Sequence, residues 1–193
     1  KGGAARGMPK ASNTTGYGAD ADGFAPGAPG GPPTWAPAGK SGVGCALSVA
    51  SNIWFTLANG IVTEIYHPDP SQAAVRDIEM IVTDGKDFFA EEKNDTTHEV
   101  SQPEPGVPAY RIVNTCKSNR FRIEKEIFAD PRQDVLLQRI RFVPLQGSLK
   151  DFRAYAILSP RLGDRGSGNS AWAARYKGRP VLFARRDANA LAF

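Results

Sequence analysis

Residues 52–66, Asn-Ile-Trp-Phe-Thr-Leu-Ala-Asn-Gly-Ile-Val-Thr-Glu-Ile-Tyr, decide the fold class. They are the first dense run of β-branched and aromatic residues after fifty residues rich in glycine, proline and alanine. Ile53 to Leu57 reads as a strand, Asn59-Gly60 as a two-residue turn and Ile61 to Tyr66 as the returning strand. Asn-Gly accepts the positive φ angles that such a turn demands, which makes it a strong hairpin signal. Asp84-Gly85 repeats the device before Phe88-Phe89.

Working outward, strands are expected at 45–50, 52–58, 61–66, 76–83, 87–92, 109–115, 120–129, 134–143 and 151–158. Weaker ones are expected at 171–176, 181–186 and 189–193. Between 120 and 128, Arg120, Arg122, Glu124 and Glu126 share one face while Phe121, Ile123 and Ile127 share the other, with Lys125 the odd member of the apolar set. Val135-Leu136-Leu137, Ile140 and Phe142 put apolar groups on both faces, the mark of a central strand. Turns at Asp130-Pro131, Gly147-Ser148 and Lys177-Gly178 punctuate the run, and no segment keeps a helical period for three turns. Many short strands with frequent turns predict an all-β, antiparallel sandwich over residues 35–193. Residues 1–34, with Pro26-Gly27, Pro29-Gly30-Gly31 and Pro32-Pro33, predict a Gly/Pro-rich arm or linker.

Composition bounds the function. A net charge of +4 with no basic stripe argues against nucleic acid, and no apolar run reaches membrane-spanning length. Cys45 and Cys116 are the only cysteines, read as separate free thiols or as one bridge. Gly39-Lys40-Ser41 ends like a phosphate-binding loop, but Thr34 stands where its first glycine is needed. His67 and His98 are too few for a His/Cys metal site. Asp164 and Asn169, in the 161–170 loop, leave calcium as an unassigned option; otherwise no metal or cofactor is expected. Acids such as Glu64, Asp77, Glu79, Glu91 and Glu92 are abundant, and each reads first as part of a solvated sheet face. Trp35 and Trp172 are candidate sugar-stacking residues, whereas Trp54 reads as core or interface.

Trp54-Phe55-Thr56-Leu57, Gly60-Ile61, Glu64-Ile65-Tyr66 and Pro68, then Arg76-Asp77, Thr83-Asp84-Gly85 and Glu91-Glu92-Lys93, follow one another at a characteristic spacing. Taken in order over residues 24–193, they resemble the N-terminal domain of bacterial glucodextranases and glucoamylases of glycoside hydrolase family 15. The resemblance implies a β-supersandwich that braces a separate (α/α)₆ barrel, where two glutamates hydrolyse α-glucosidic bonds with inversion. Nothing here is similar to that barrel, so no catalytic residue carries over. Tyr66, His67, Pro68 and Asp69 become the candidate barrel-interface or sugar-proximal segment, although the family shows an aromatic pair where this chain has Tyr66-His67. The implied partners are the catalytic domain of the same protein and an α-glucan such as starch or dextran, and the implied location is secreted or periplasmic. Leu182-Phe183-Ala184 and Leu191-Ala192-Phe193 read as strands still awaiting partners, so the sandwich is expected to be incomplete at its C-terminal end. The competing expectations are an independent α-glucan-binding module and a purely structural sandwich.

Overall fold

The computed structural model describes residues 23–24 and 36–193. In chain order the strands are β1 (Gly23–Phe24), β2 (Gly42–Cys45), β3 (Trp54–Ala58), β4 (Ile61–Tyr66), β5 (Ala73–Thr83), β6 (Phe89–Glu91) and β7 (Thr96–Ser101). They continue with β8 (Tyr110–Cys116), β9 (Phe121–Ala129), β10 (Leu136–Pro144), β11 (Arg153–Pro160), β12 (Ser170–Tyr176), β13 (Arg179–Arg186) and β14 (Asn189–Ala192). One helical turn, α1 (Glu92–Asp95), separates β6 from β7.

Three antiparallel sheets result. The first has the order β11-β5-β4-β3-β2 with β6 also on β5, the second β10-β9-β8-β7, and the third β1-β12-β13-β14. The Asn59-Gly60 turn joins β3 to β4 with φ of 50° and 71°, as the hairpin reading requires. Phe55, Leu57, Val62, Ile65, Val75 and Ile78 from the first sheet pack on Ile112, Ile127 and Ala129 from the second. Alongside, Phe121 is fully buried among Val82, Ala90, Cys116 and Ile123, stacked at 5.3 Å on Phe142 and edge-on to Phe88 and Phe152. The β2 edge approaches so closely that a Cβ on Gly44 would strike the Phe55 ring.

The structure departs from the sequence reading in several places. Residues 46–50 are not a strand; β2 lies just before them. β7 was not foreseen, because Thr-Thr-His-Glu-Val-Ser carries one apolar residue and is held as an edge by its ladder to β8. β10 is an edge strand rather than a central one. Its Leu136 packs against the core, while Ile140 stays 42% exposed over an apolar groove of about 620 Å³. Leu182-Phe183-Ala184 do not await partners, since β13 pairs with β12 on one side and β14 on the other. Finally, Glu92 is not part of a solvated strand end; it turns inward from α1 and is fully buried.

The expected 1–34 arm falls outside the described residues except for Gly23–Phe24, which pair with Ala173 and Trp172. Cys45 is half-buried and Cys116 buried, both as free thiols.

Candidate functional site

The segment singled out from sequence, Tyr66 to Asp69, sits where β4 ends. The His67–Pro68 peptide is cis. His67 Nε2 lies 3.0 Å from Asp134 Oδ2, and Asp134 Oδ1 accepts the Asn52 N–H at 2.5 Å, so this corner ties β4 to the turn between β9 and β10. The Asn52 N–H and the imidazole hold the Asp134 carboxyl below the usual carboxylate range. Asp69 is occupied by its own turn, accepting the Ser71 N–H at 2.9 Å and Gln72 Nε2 at 3.0 Å. Hydrogen bonds from Ser71 likewise hold its carboxyl low. Tyr66 and His67 are adjacent in sequence but serve different partners, because Tyr66 turns onto the outer face of the first sheet.

That outer face is built by alternation. Trp54 and Thr56 of β3, Glu64 and Tyr66 of β4, and Asp77, Glu79 and Ile81 of β5 point away from the core that Phe55, Val62 and Ile78 enter. Its acids are not the solvated residues expected from sequence: Glu64, Asp77 and Glu79 are 7%, 4% and 7% exposed. Long neighbours cover them and share their charge. Lys40 Nζ donates to Glu64 Oε2 at 2.7 Å, and Thr56 Oγ1 donates to the same oxygen at 3.0 Å. Burial pushes the Glu64 carboxyl up, but hydrogen bonds from Lys40, Tyr66 and Thr56 outweigh it and hold the group low. Tyr66 is the counterpart: burial, then the Glu64 charge, push its phenol up to about 12. Arg76 pairs with Asp77 at 2.9 Å, and Lys93 stands 3.6 Å from each of Asp77, Glu79 and Glu91.

A second polar cluster lies inside the sandwich. Lys125, the odd member of β9, is 1% exposed and donates to Glu92 Oε2 at 2.6 Å. The Met80 N–H and Asn114 Nδ2 complete that carboxylate at 2.8 and 2.7 Å. Asn114 Nδ2 also donates to the Gly60 carbonyl at 2.8 Å, so its Oδ1, 3.1 Å from His98 Nδ1, receives the imidazole proton. Sequence reasoning flagged Lys125 but missed its partner; a lone lysine in an apolar row was the available signal for a buried acid nearby. The four hydrogen bonds tie α1 and β5 to β8 and β9, and Lys125 and Met80 also line the groove beside β10.

The remaining sequence candidates scatter. Trp172 of β12 stacks on Phe183 of β13, centroids 5.6 Å apart and planes 18° apart, with the pair half-buried. Trp35 lies outside the described residues. Asn169 spends its amide on the loop, accepting from Leu162 N–H at 3.1 Å and donating to the Arg165 carbonyl at 2.8 Å. Among the described residues no group of three or more His, Cys, Asp or Glu side chains could hold a metal ion. The ion-paired carboxylates there sit on sheet faces or inside the sandwich, not across a cleft as glycoside hydrolysis by paired acids requires.

Comparison with known proteins agrees with this picture. The family model described as "Glucodextranase, domain N" matches residues 25–193. A glucoamylase from Clostridium sp. (strain G0005) is 40% identical over 159 residues, covering 82% of this chain and 23% of that protein. The crystal structure of a bacterial glucoamylase complexed with acarbose superposes with a TM-score of 0.82 at 39% identity, covering 84% of this chain and 24% of that one. The chain thus spans about a quarter of the length of these relatives. With its antiparallel sheets and ordered strand motifs, it belongs to the family of glucodextranase and glucoamylase N-terminal domains.

Proposed function

We propose that this chain is the accessory N-terminal β-sandwich of an exo-acting α-glucan hydrolase, and that it braces a catalytic (α/α)₆ domain of the glycoside hydrolase family 15 type. One observation carries the reading: residues 25–193 match a segment that makes up only about a quarter of glucoamylases. Glu64, Asp69, Asp77, Glu92 and Asp134 are held in ion pairs and turn hydrogen bonds, and the hydrolytic pair is proposed to lie in another part of the protein. The Tyr66–Asp69 corner, rigidly tied through His67 and Asp134, is the proposed contact with that domain. The location proposed with this reading is secreted or periplasmic, where a polymer such as starch or dextran is met.

The test is glucose release from maltooligosaccharide and dextran by the purified chain. None is expected, and release at enzymatic rates would overturn the reading. A structure of the longer protein with Tyr66–Asp69 facing solvent would remove the proposed contact. A second reading, an α-glucan-binding module in its own right, is favoured by the half-exposed Trp172–Phe183 stack, a flat apolar surface of the kind on which pyranose rings pack. Calorimetry with maltooligosaccharide decides it: heat that Trp172→Ala abolishes supports it, and no heat excludes it.

A further inference from the structure

β10 presents an open strand edge beside the apolar groove. The Asp130 N–H donates to the Val135 carbonyl at 2.8 Å and the Leu145 N–H to the Arg120 carbonyl at 2.9 Å, marking the two ends of the ladder to β9. Between them the register runs unbroken from Leu136 opposite Ala129 to Pro144 opposite Phe121. Hydrogen-bonded pairs alternate along an antiparallel ladder, so Leu137, Arg139, Arg141 and Val143 spend their N–H and C=O groups on β9. Those of Leu136, Gln138, Ile140 and Phe142 point the other way, where no strand lies among the described residues. Pro144, next in that outward series, has no N–H to offer, so the unpaired donors end at Phe142. On the same side, Leu136 and Ile140 line the groove together with Ile78, Ala156 and Leu158 of the first sheet. The opposite face of the edge is basic. Arg139 and Arg141 have side chains 81% and 74% exposed. Each has a carboxylate on its β9 side, Glu126 at 3.4 Å and Glu124 at 3.6 Å, and Glu124 is shared with Arg111 and Arg122.

We propose that an extended segment of the longer protein adds to β10 as a further strand, its acidic residues opposite Arg139 and Arg141 and the apolar residues between them lying in the groove. Strand addition uses the unpaired backbone groups for affinity and the alternate side chains for specificity. Opposite Arg139 and Arg141 the new pairs are the non-hydrogen-bonded ones, in which side chains approach most closely, so charge weighs most there. The same arginines select against a second copy of this chain. Two-fold pairing centred on Ile140 would set the Arg139 of each copy against the Arg141 of the other. β11, the other strand edge on the groove, suits an added strand less well, because its ladder shifts register between Leu158 and Pro160. This chain spans about a quarter of its relatives, so most of such a protein is available to supply the segment, and tethering gives it a high effective concentration. The inference rests on the accessory-domain reading only in placing the segment in the same protein.

The experiment is amide hydrogen exchange read at single residues, in this chain and in the longer protein that carries it. The Gln138, Ile140 and Phe142 amides should exchange fast in this chain and about 100-fold more slowly, or slower still, in the longer protein. The Val143 amide, bonded to β9, should be slow in both and reports that β10 is folded. Arg139→Glu combined with Arg141→Glu should speed the three outward amides of the longer protein by about tenfold and leave Val143 slow. Equally fast exchange in the two proteins, or no effect of the double variant, would overturn the proposal. So would slow exchange in this chain by itself, whether independent of concentration, which would mean another part of the chain covers the edge, or rising with concentration, which would mean a second copy does. Any of these would leave the accessory-domain reading standing, since that reading turns on glucose release.

Discussion

Replacing Lys125 with methionine tests whether the buried ion pair is a pinned joint between the two main sheets. Lys125 on β9 is 1% exposed and meets Glu92, fully buried on α1, at 2.6 Å. Methionine fills similar volume, so little cavity forms; the loss is electrostatic. Removing one partner of a buried pair costs about 3–5 kcal/mol because the other charge is stranded. Here the lower end applies, since Glu92 keeps hydrogen bonds from the Met80 N–H and Asn114 at 2.8 and 2.7 Å. About 3 kcal/mol in a domain of this size lowers the melting temperature by roughly 6–12 °C. Adding Glu92→Gln removes the stranded charge while retaining an acceptor for the Met80 N–H. The double variant should therefore recover most of the loss, to within about 1–2 kcal/mol of the parent. Urea unfolding of the four proteins of the cycle gives the coupling directly. A single variant costing under about 1 kcal/mol, or a double variant no better than the single, would refute the argument.

Other consequences are as direct. Gly60→Ala should cost more than about 2 kcal/mol by chemical denaturation, because Gly60 sits at φ 71° and its new Cβ would strike Asn114 and His98. Phe121→Ala, which removes a ring packed against three others, should cost about 3–5 kcal/mol in the same assay. Ultraviolet titration should find one of the five tyrosines ionising near 12, and Tyr66→Phe should remove that step. The sign follows from linkage: Tyr66 keeps its proton longer when folded, so its contribution is present below the unfolded value of 10 and is lost as pH rises from there to about 12. For Glu79 the folded carboxyl is raised by burial, with Lys93 opposing and Glu91 and Asp77 adding to it. Its ionised form therefore opposes folding, so Glu79→Gln should raise the melting temperature at pH 7 and leave it nearly unchanged at pH 4; a fall at pH 7 would contradict this sign.

What was legible in the sequence, and what was not, divides along a physical line. Periodicity and turn chemistry are local, and they yielded β3, β4, β8, β9 and the Asn59-Gly60 hairpin because each element announces its own buried face. β7 was silent because an edge strand can be held by backbone hydrogen bonds to β8 and needs few apolar side chains of its own. β10 misled for the opposite reason. Apolar residues on both faces ordinarily mean neighbours on both sides, yet here Leu137 and Ile140 stay partly exposed beside an open groove. Charge was hardest to place. Glu92 and Lys125 lie 33 positions apart, and no spacing rule links a turn after β6 to the middle of β9; only the fold puts them 2.6 Å from each other. The same holds on the outer face, where Glu64, Asp77 and Glu79 each looked like solvated sheet residues. What buries them is the coincidence of Lys40, Arg76 and Lys93, drawn from three separate stretches of chain, over one sheet. A pattern read two residues at a time assigns a side chain to a face, but whether that face is wet depends on what folds over it. The acid stripe is therefore where the structure says most beyond the sequence: a solvated row of carboxylates needs no partners, whereas this covered row depends on the lysines and the arginine that fold over it.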